Sequence, residues 1–209
     1  MDQAYLETFE IQRWRQNNPN KNKQLDWENL KSCVAHCTLC ELHRFRTQTV
    51  FGVGNTKASL MVIGEAPGFN EDKQGEPFVG RAGQLLNAML GAIDIAREEV
   101  FIANIVKCRP PENRDPQVTE VATCTPYLIQ QIAYVQPKLL LAVGRVAAQY
   151  LLNTKTPLGK LRKQIHTYGP SQTPLIITYH PAYLLRNPKD KSKAFEDLIL
   201  TVNTLIESA

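Results

Sequence analysis

The chain lacks several features, and each absence narrows the problem. No apolar run approaches the ~20 residues of a membrane-spanning helix, so no membrane partner is expected. The first residues, MDQAYLETFEIQRWRQ, carry acidic side chains and have no apolar core. A secretory signal or transit peptide is therefore not expected, and the chain should work in the cytoplasm. There is no internal repeat and no long low-complexity tract. Charge of one sign is not in large excess: 24 Lys and Arg face 20 Asp and Glu, a net +4. That permits a polyanionic partner without demanding one. Cysteine is sparse, five in 209 residues. In a cytoplasmic protein so few thiols point to metal binding or chemistry rather than disulfides.

What is present fits one soluble domain, 27–209, behind an N-terminal extension, 1–26. The extension is polar, with an Asn/Lys-rich patch at Asn17–Lys23. It reads as a poorly ordered or helical arm. The domain is organised around LMVIGEAPGFNEDKQGEPFVGRAGQLL, Leu60–Leu86. Leu60–Ile63 reads as a buried strand. It breaks into Gly64-Glu65-Ala66-Pro67-Gly68, a tight turn with a carboxylate inside it. Glu71 and Asp72 follow, then Pro77-Phe78, then helical spacing over about Ala82–Ile93.

Further along, Val100–Val106 reads as a second strand carrying a polar residue, Asn104. It leads into the rigid, basic loop Lys107–Arg114 and a helix over about Gln117–Val135. Leu139–Val143, closed by Gly144-Arg145, is the third strand. A basic loop with Lys160, Arg162 and Lys163 precedes a fourth strand, Leu175–Thr178, which ends in Tyr179-His180-Pro181. An amphipathic helix, Lys191–Ile206, closes the chain. Strands alternating with helices predict an α/β fold, a parallel sheet with helices on both faces. In such sheets the site lies outside the carboxyl ends of the strands. Glu65, Asn104 and His180 all fall there.

Cys37 and Cys40 form a C-x-x-C pair, while Cys108 and Cys124 stand 16 residues apart. Four thiolates suit zinc or an iron–sulfur cluster, and the long second spacing weighs against two zinc knuckles. Cys33 adds the C-x-x-x-C-x-x-C spacing of radical-SAM enzymes. That spacing precedes the first strand instead of following it, so Cys33 reads as a spare structural thiol.

Taken in order, these motifs resemble the family-four, iron–sulfur uracil-DNA glycosylases. The resemblance rests on Cys37-x-x-Cys40, on Gly64–Gly68 with Glu71-Asp72, and on Pro77-Phe78-Val79-Gly80-x-Ala82-Gly83. It continues through Asn104 with Lys107-Cys108-Arg109-Pro110-Pro111-x-Asn113-Arg114, Cys124-x-Pro126-Tyr127-Leu128 and His180-Pro181-Ala182. It implies a three-layer α/β/α fold with a four-stranded parallel sheet. It also implies a [4Fe-4S] cluster on Cys37, Cys40, Cys108 and Cys124, and hydrolysis of the N-glycosidic bond of deoxyuridine in DNA. A related DNA-crosslinking branch carries a basic insertion that is absent here.

The residue chemistry agrees with that expectation. A flipped base needs a stacking face, which Phe78 would supply. One Asn amide complements the N3–H and O4 of uracil, a role for Asn104. His180 would donate to the uracil O2 as charge develops. Turn backbone amides near Glu65 and Ala66 would share that task, with Gly64 and Ala66 in the substrate-binding turn. Ala66 stands where other superfamily members place a water-activating Asp, so Glu65 is expected to position the water or stabilise the sugar cation. Glu71 would order the turn or crowd the uracil C5. Phosphate contacts are expected from Arg109, Arg114, Lys160, Arg162, Lys163 and Arg186. Leu184 or Leu185 would wedge into the base stack. The expected partner is uracil-containing DNA, single- or double-stranded, met by a monomer. The other readings are a cluster-bearing DNA-binding module without base release, and a glycosylase for another base such as hypoxanthine.

Overall fold

A computed structural model of the protein describes residues 26–208. The N-terminal arm lies outside the described residues except for Asp26. Four strands form the parallel centre of the sheet: β2 (Leu60–Gly64), β3 (Phe101–Asn104), β4 (Leu139–Val143) and β6 (Thr173–Thr178). They match the four strands read from the apolar runs. The sheet itself has six strands, in the order β1-β3-β2-β4-β6-β5. This corrects the four-stranded expectation. The edge strands β1 (Val53–Gly54) and β5 (His166–Tyr168) pair antiparallel with β3 and β6. They are two and three residues long, too short to show a hydrophobic period. Short edge strands also limit the unpaired backbone a sheet presents.

Period-two alternation sorts the strand residues into two layers. Met61, Ile63, Ala103, Leu140 and Ala142 face one core with Leu30, Val121 and Leu128. Leu60, Val62, Ile102, Leu139 and Leu141 face the other with Leu86, Leu90 and Leu198. The first core is covered by α1 (Trp27–Ala35), α4 (Val118–Val135) and α5 (Arg145–Leu151). The second is covered by α3 (Arg81–Gly91), α7 (Pro181–Arg186) and α8 (Lys191–Glu207). Two shorter helices, α2 (Phe69–Gln74) and α6 (Leu158–Leu161), complete eight α-helices among the described residues. The three-layer α/β/α arrangement follows from the sheet being apolar on both faces.

Helix ends follow local chemistry. Asp26 caps α1 by accepting from the Asn29 N–H at 2.8 Å. Glu120 accepts from the Gln117 N–H at 2.7 Å at the start of α4. In α8 the buried positions Ala194, Asp197, Leu198, Thr201 and Thr204 keep helical spacing.

Two expected DNA contacts are part of the packing instead. Arg162 is 6% exposed and its Nε donates to Asp197 Oδ2 at 2.7 Å, with a further bond to the Lys193 carbonyl. A buried Arg–Asp pair locks the segment before β5 onto α8, so Arg162 is withdrawn as a phosphate contact. Leu184 is fully buried in the second core, so it is withdrawn as a wedge; Leu185 beside it is partly exposed.

Candidate active site

The carboxyl ends of the four parallel strands open on one cleft. The chain leaves β2, takes β3 on one side and returns to β4 on the other. The strand order therefore reverses at β2, and a crevice forms there.

Gly64 ends β2 opposite Asn104 at the end of β3. A Cβ on Gly64 would lie 2.4 Å from Asn104 Oδ1 and 2.8 Å from the Phe78 ring. Glycine is thus what allows the amide and the ring to meet at one point. Phe78 itself has φ 54°, a left-handed backbone uncommon for an aromatic residue. Gly83 accommodates it, since a Cβ there would lie 1.7 Å from the Phe78 carbonyl oxygen. Glu71 braces the same loop, accepting from the Val79 and Gly80 N–H groups at 3.0 and 3.1 Å. Of the two roles expected for Glu71, this contact supports ordering of the turn. Such a backbone costs about 1–3 kcal/mol and persists because its surroundings over-determine it.

Asn104 is 2% exposed, and its Oδ1 has no hydrogen-bond partner among the described residues. A buried orphan acceptor costs about 1–3 kcal/mol. Asn104 lines the cleft, so this acceptor is open to a donor there. The Asn104 carbonyl is held by the Lys107 ammonium at 2.7 Å, and the same ammonium donates to Gln131 Oε1 at 2.6 Å. Lys107, counted in sequence among the cations of a basic loop, is thus a buried strut.

His180 follows β6 and lies 5.6 Å from Phe78, ring centroid to ring centroid. Its Nδ1 accepts from the Ala182 N–H at 3.1 Å, which puts the ring proton on Nε2. Burial first, then the nearby Arg186, pushes its pKa down to about 4 against the pull of Glu71. The imidazole is therefore neutral near pH 7 and a donor through Nε2. Gly144, at φ +100°, gives it room: a Cβ there would lie 2.9 Å from His180 Cβ.

Glu65 follows β2 and lines the cleft. Burial, then the neighbouring Asp115, raises its carboxyl to about pKa 7, while Arg145 pulls the other way. Asp115 is itself paired with Arg145 at 2.5 Å. Ala66 lines the cleft beside Glu65. Asp115, Arg145, Tyr179 and Tyr183 are cleft residues that the sequence reading did not assign. Arg145 sits in a Gly-Arg strand exit, which is a usable signal; Asp115 follows a loop that shows no period. Of the expected cations, Arg114 and Arg186 line the cleft. Arg114 is bound by both Glu120 oxygens at 2.9 and 2.7 Å. Arg109 donates to Asn113 at the rim, and Lys160 is exposed on α6. Lys163 pairs with Glu196.

On the first-core side of the sheet, Cys37, Cys40, Cys108 and Cys124 line one apolar hollow with Val34, Leu39 and Tyr127; Cys33 does not line it. All four thiols are free of disulfides. Burial raises the Cys40 and Cys108 thiols and pushes Cys124 up to about 12. Two N–H groups nonetheless point at sulfur: Arg46 Nη1 donates to Cys108 Sγ at 3.0 Å and the Lys107 N–H to Cys124 Sγ at 3.3 Å. Among the described residues no three His, Cys, Asp or Glu are gathered as ligands of a single ion. The donor set is four soft thiols around a hollow, which fits a thiolate-held cluster by its chemistry.

Comparison with known proteins identifies the family. The profile of the uracil DNA glycosylase superfamily matches residues 51–201. A type-4 uracil-DNA glycosylase of Pyrobaculum aerophilum is 41% identical over 182 residues, 84% of this chain and 93% of its own. One from Sulfurisphaera tokodaii is 42% identical over 177 residues, covering 81% and 80%. One from Saccharolobus solfataricus is 44% identical over 171 residues, covering 78% and 79%.

Proposed function

The chain belongs to the uracil DNA glycosylase superfamily, with type-4 enzymes as its relatives, and from that premise we propose how its cleft works. It is a hydrolase that releases uracil from DNA by cleaving the N-glycosyl bond, the opening step of base-excision repair. One observation carries the assignment of roles: the orphan acceptor of Asn104, the Phe78 ring and the Nε2 donor of His180 meet at the strand ends.

The uracil nucleotide leaves the base stack and enters the cleft. Its ring lies against Phe78. Asn104 Oδ1 accepts from N3–H while the amide NH₂ donates to O4; cytosine offers the opposite pattern and leaves both groups unpaired. As the glycosidic bond breaks, negative charge gathers on the base. The His180 Nε2–H meets it at O2, with the turn amides after Gly64 beside it. A neutral imidazole serves here because the leaving base needs a donor and no proton is removed from it. Glu65, as carboxylate, orients water toward the sugar carbon and stabilises the cationic sugar. With Ala66 in the next position, no Asp adjacent in sequence shares that work; the one Asp beside Glu65 is Asp115, which is paired with Arg145. Arg114, Arg186, Lys160 and Arg109 meet phosphates around the cleft, and Leu185 lies where the vacated stack would be. The protein works as a monomer in the cytoplasm.

Cys37, Cys40, Cys108 and Cys124 would hold a [4Fe-4S] cluster. Bound there, it would tie the segment after α1 to the Lys107–Arg114 loop and to α4 and would supply a structural crosslink, while the hydrolysis is carried by the cleft residues. The test of the function is direct. The purified protein is incubated with uracil-containing oligonucleotides, and abasic sites are read as strand breaks after alkali. Release of uracil with thymine and cytosine untouched is the expected result. Binding without base release would support the DNA-binding-module reading, and release of hypoxanthine alone the other.

A further inference from the structure

Beside the cleft stands a cluster of which the chemistry above uses only Arg109, and that only as a phosphate contact. Phe69 opens α2 directly after Gly68, which lines the cleft, and leaves 49% of its surface to solvent. Lys73 is one helical turn later, and its Nζ lies 4.4 Å from the Phe69 ring centroid. Arg109 reaches the same ring from the loop after β3, its Cζ at 5.0 Å. The Arg109 Nε is tied to Asn113 Oδ1 at 2.7 Å, and Asn113 lines the cleft. Two cations from separate elements are thus gathered on one exposed ring at the cleft rim. Cation–π attraction at an exposed ring is worth only about 0.5–1 kcal/mol. That is little for holding two like charges together.

Several other cations are paired, although Arg186 in the cleft and Lys160 on α6 make no ion pair among the described residues. Arg114 is paired with Glu120, Arg145 with Asp115 and Lys163 with Glu196. Among the described residues neither Lys73 nor Arg109 makes an ion pair. The other exposed phenylalanines, Phe45 and Phe195, have no cation on their rings among the described residues. An aromatic surface with uncompensated cations around it is what a single nucleic-acid strand binds: bases stack on the ring and phosphates meet the charges.

We propose that Phe69, Lys73 and Arg109 form a binding site for the nucleotide next to the flipped uridine, Phe69 stacking on its base and the two cations meeting its phosphates. The site rests on the glycosylase reading of the adjacent cleft. It gives the enzyme a hold on an unpaired neighbouring base, and so a preference for uridine in single-stranded or melted DNA.

The test uses the full chain and single-stranded oligonucleotides carrying one uncleavable 2′-fluoro-deoxyuridine. Phe69→Ala should bind about tenfold more weakly than wild type, the loss of one stacked base. On oligonucleotides with abasic positions on both sides of the uridine, the two proteins should bind alike. Lys73→Gln should lower the slope of log K against log salt by about 0.7, one phosphate contact on a single strand. Phe69→Tyr should bind as wild type does. Unchanged affinity in Phe69→Ala overturns the site, as does an equal loss on abasic neighbours. Should Phe69→Ala melt early, the Lys73→Gln slope decides alone, and an unchanged slope overturns the site. Uracil release by the wild type, measured in parallel, separates the two readings. If it is absent the glycosylase reading falls and takes this site with it; if it is present with unchanged variants, only this site falls.

Discussion

The cleft and the cysteine hollow are built on opposite plans. In the cleft Glu65, Asn104 and His180 sit at or just beyond parallel strand ends, Phe78 comes in on the loop between α2 and α3, and glycines bring the groups together. Gly64 admits Asn104 and Phe78 to one point, and Gly144 admits His180. The result is polar and incomplete, with a buried acceptor left without a partner. In the hollow the four cysteines come from the segment after α1, the loop after β3 and α4. Val34, Leu39 and Tyr127 line the hollow with Arg46 and Lys107, and burial raises the Cys40, Cys108 and Cys124 thiols. The cleft is therefore made to receive a molecule that leaves again, the hollow to be filled once. Lys107 joins them, its N–H on Cys124 and its ammonium on the Asn104 carbonyl. The difference teaches that the cleft is shaped by backbone close approach, while the hollow gathers thiols from segments far apart in the chain.

The contrast is broken most severely at Asn104. Asn104→Asp should lower uracil release by roughly 10⁴-fold, because a carboxylate repels O4 and leaves its partner unpaired. Some release of cytosine should appear, since a carboxylate accepts from the cytosine amino group. Unchanged uracil activity would remove Asn104 from base reading.

Next is His180→Ala. Loss of one preorganised donor costs about 10²–10³ in rate. Affinity for uncleavable uracil-DNA should change far less, since the charge it meets appears only as the bond breaks. A fall in binding and melting temperature together with rate would assign the histidine to holding the turn instead.

A smaller, graded effect is expected from pH. Glu65 titrates near 7 in the folded protein, so single-turnover rate should climb up to tenfold per unit below pH 7 and level off above it. His180, held to about 4, stays neutral across that window and sets no limb of the profile. Glu65→Gln should be slow and flat. The same carboxyl binds its proton more tightly folded than unfolded. Its contribution to stability is therefore lost as pH rises from its ordinary 4.5 through about 7. A melting-temperature series on Glu65→Gln should lack that slope. A wild-type rate limb near pH 4 instead would show that Glu65 does not control water attack.

The smallest effect on the chemistry is expected in the hollow. Cys108→Ser should abolish brown colour and bound iron and lower the melting temperature, whereas Cys33→Ser should keep four irons per chain and near-normal melting. Bleaching by Cys33→Ser, or one zinc in an anaerobic preparation of the wild type, would redraw the ligand set.

Much of this was legible in the chain. The four parallel strands were readable because a strand buried on both faces is an unbroken apolar run, as in Leu60–Ile63 and Leu139–Val143. The site's address followed, since Gly-rich turns and polar residues end those runs at Gly64, Asn104, Gly144 and His180. Motif order supplied the family. The edge strands were not readable, because β1 and β5 are held by pairing with β3 and β6 and not by any period of their own. Nor were the fates of single charges. Arg162 and Lys107 look like surface cations in sequence, and only packing against Asp197 and Gln131 buries them. Leu184 looks like a wedge, and only the turn into α7 aims it at the core. Asp115 enters beside Glu65 through a loop, across 50 residues of chain. Local sequence determines what a segment prefers, because dihedral and hydrophobic preferences act within a few residues. Which charge is neutralised, which acceptor is left open and which two carboxyls share a wall are decided by contacts between distant segments, and these exist only once the sheet has closed.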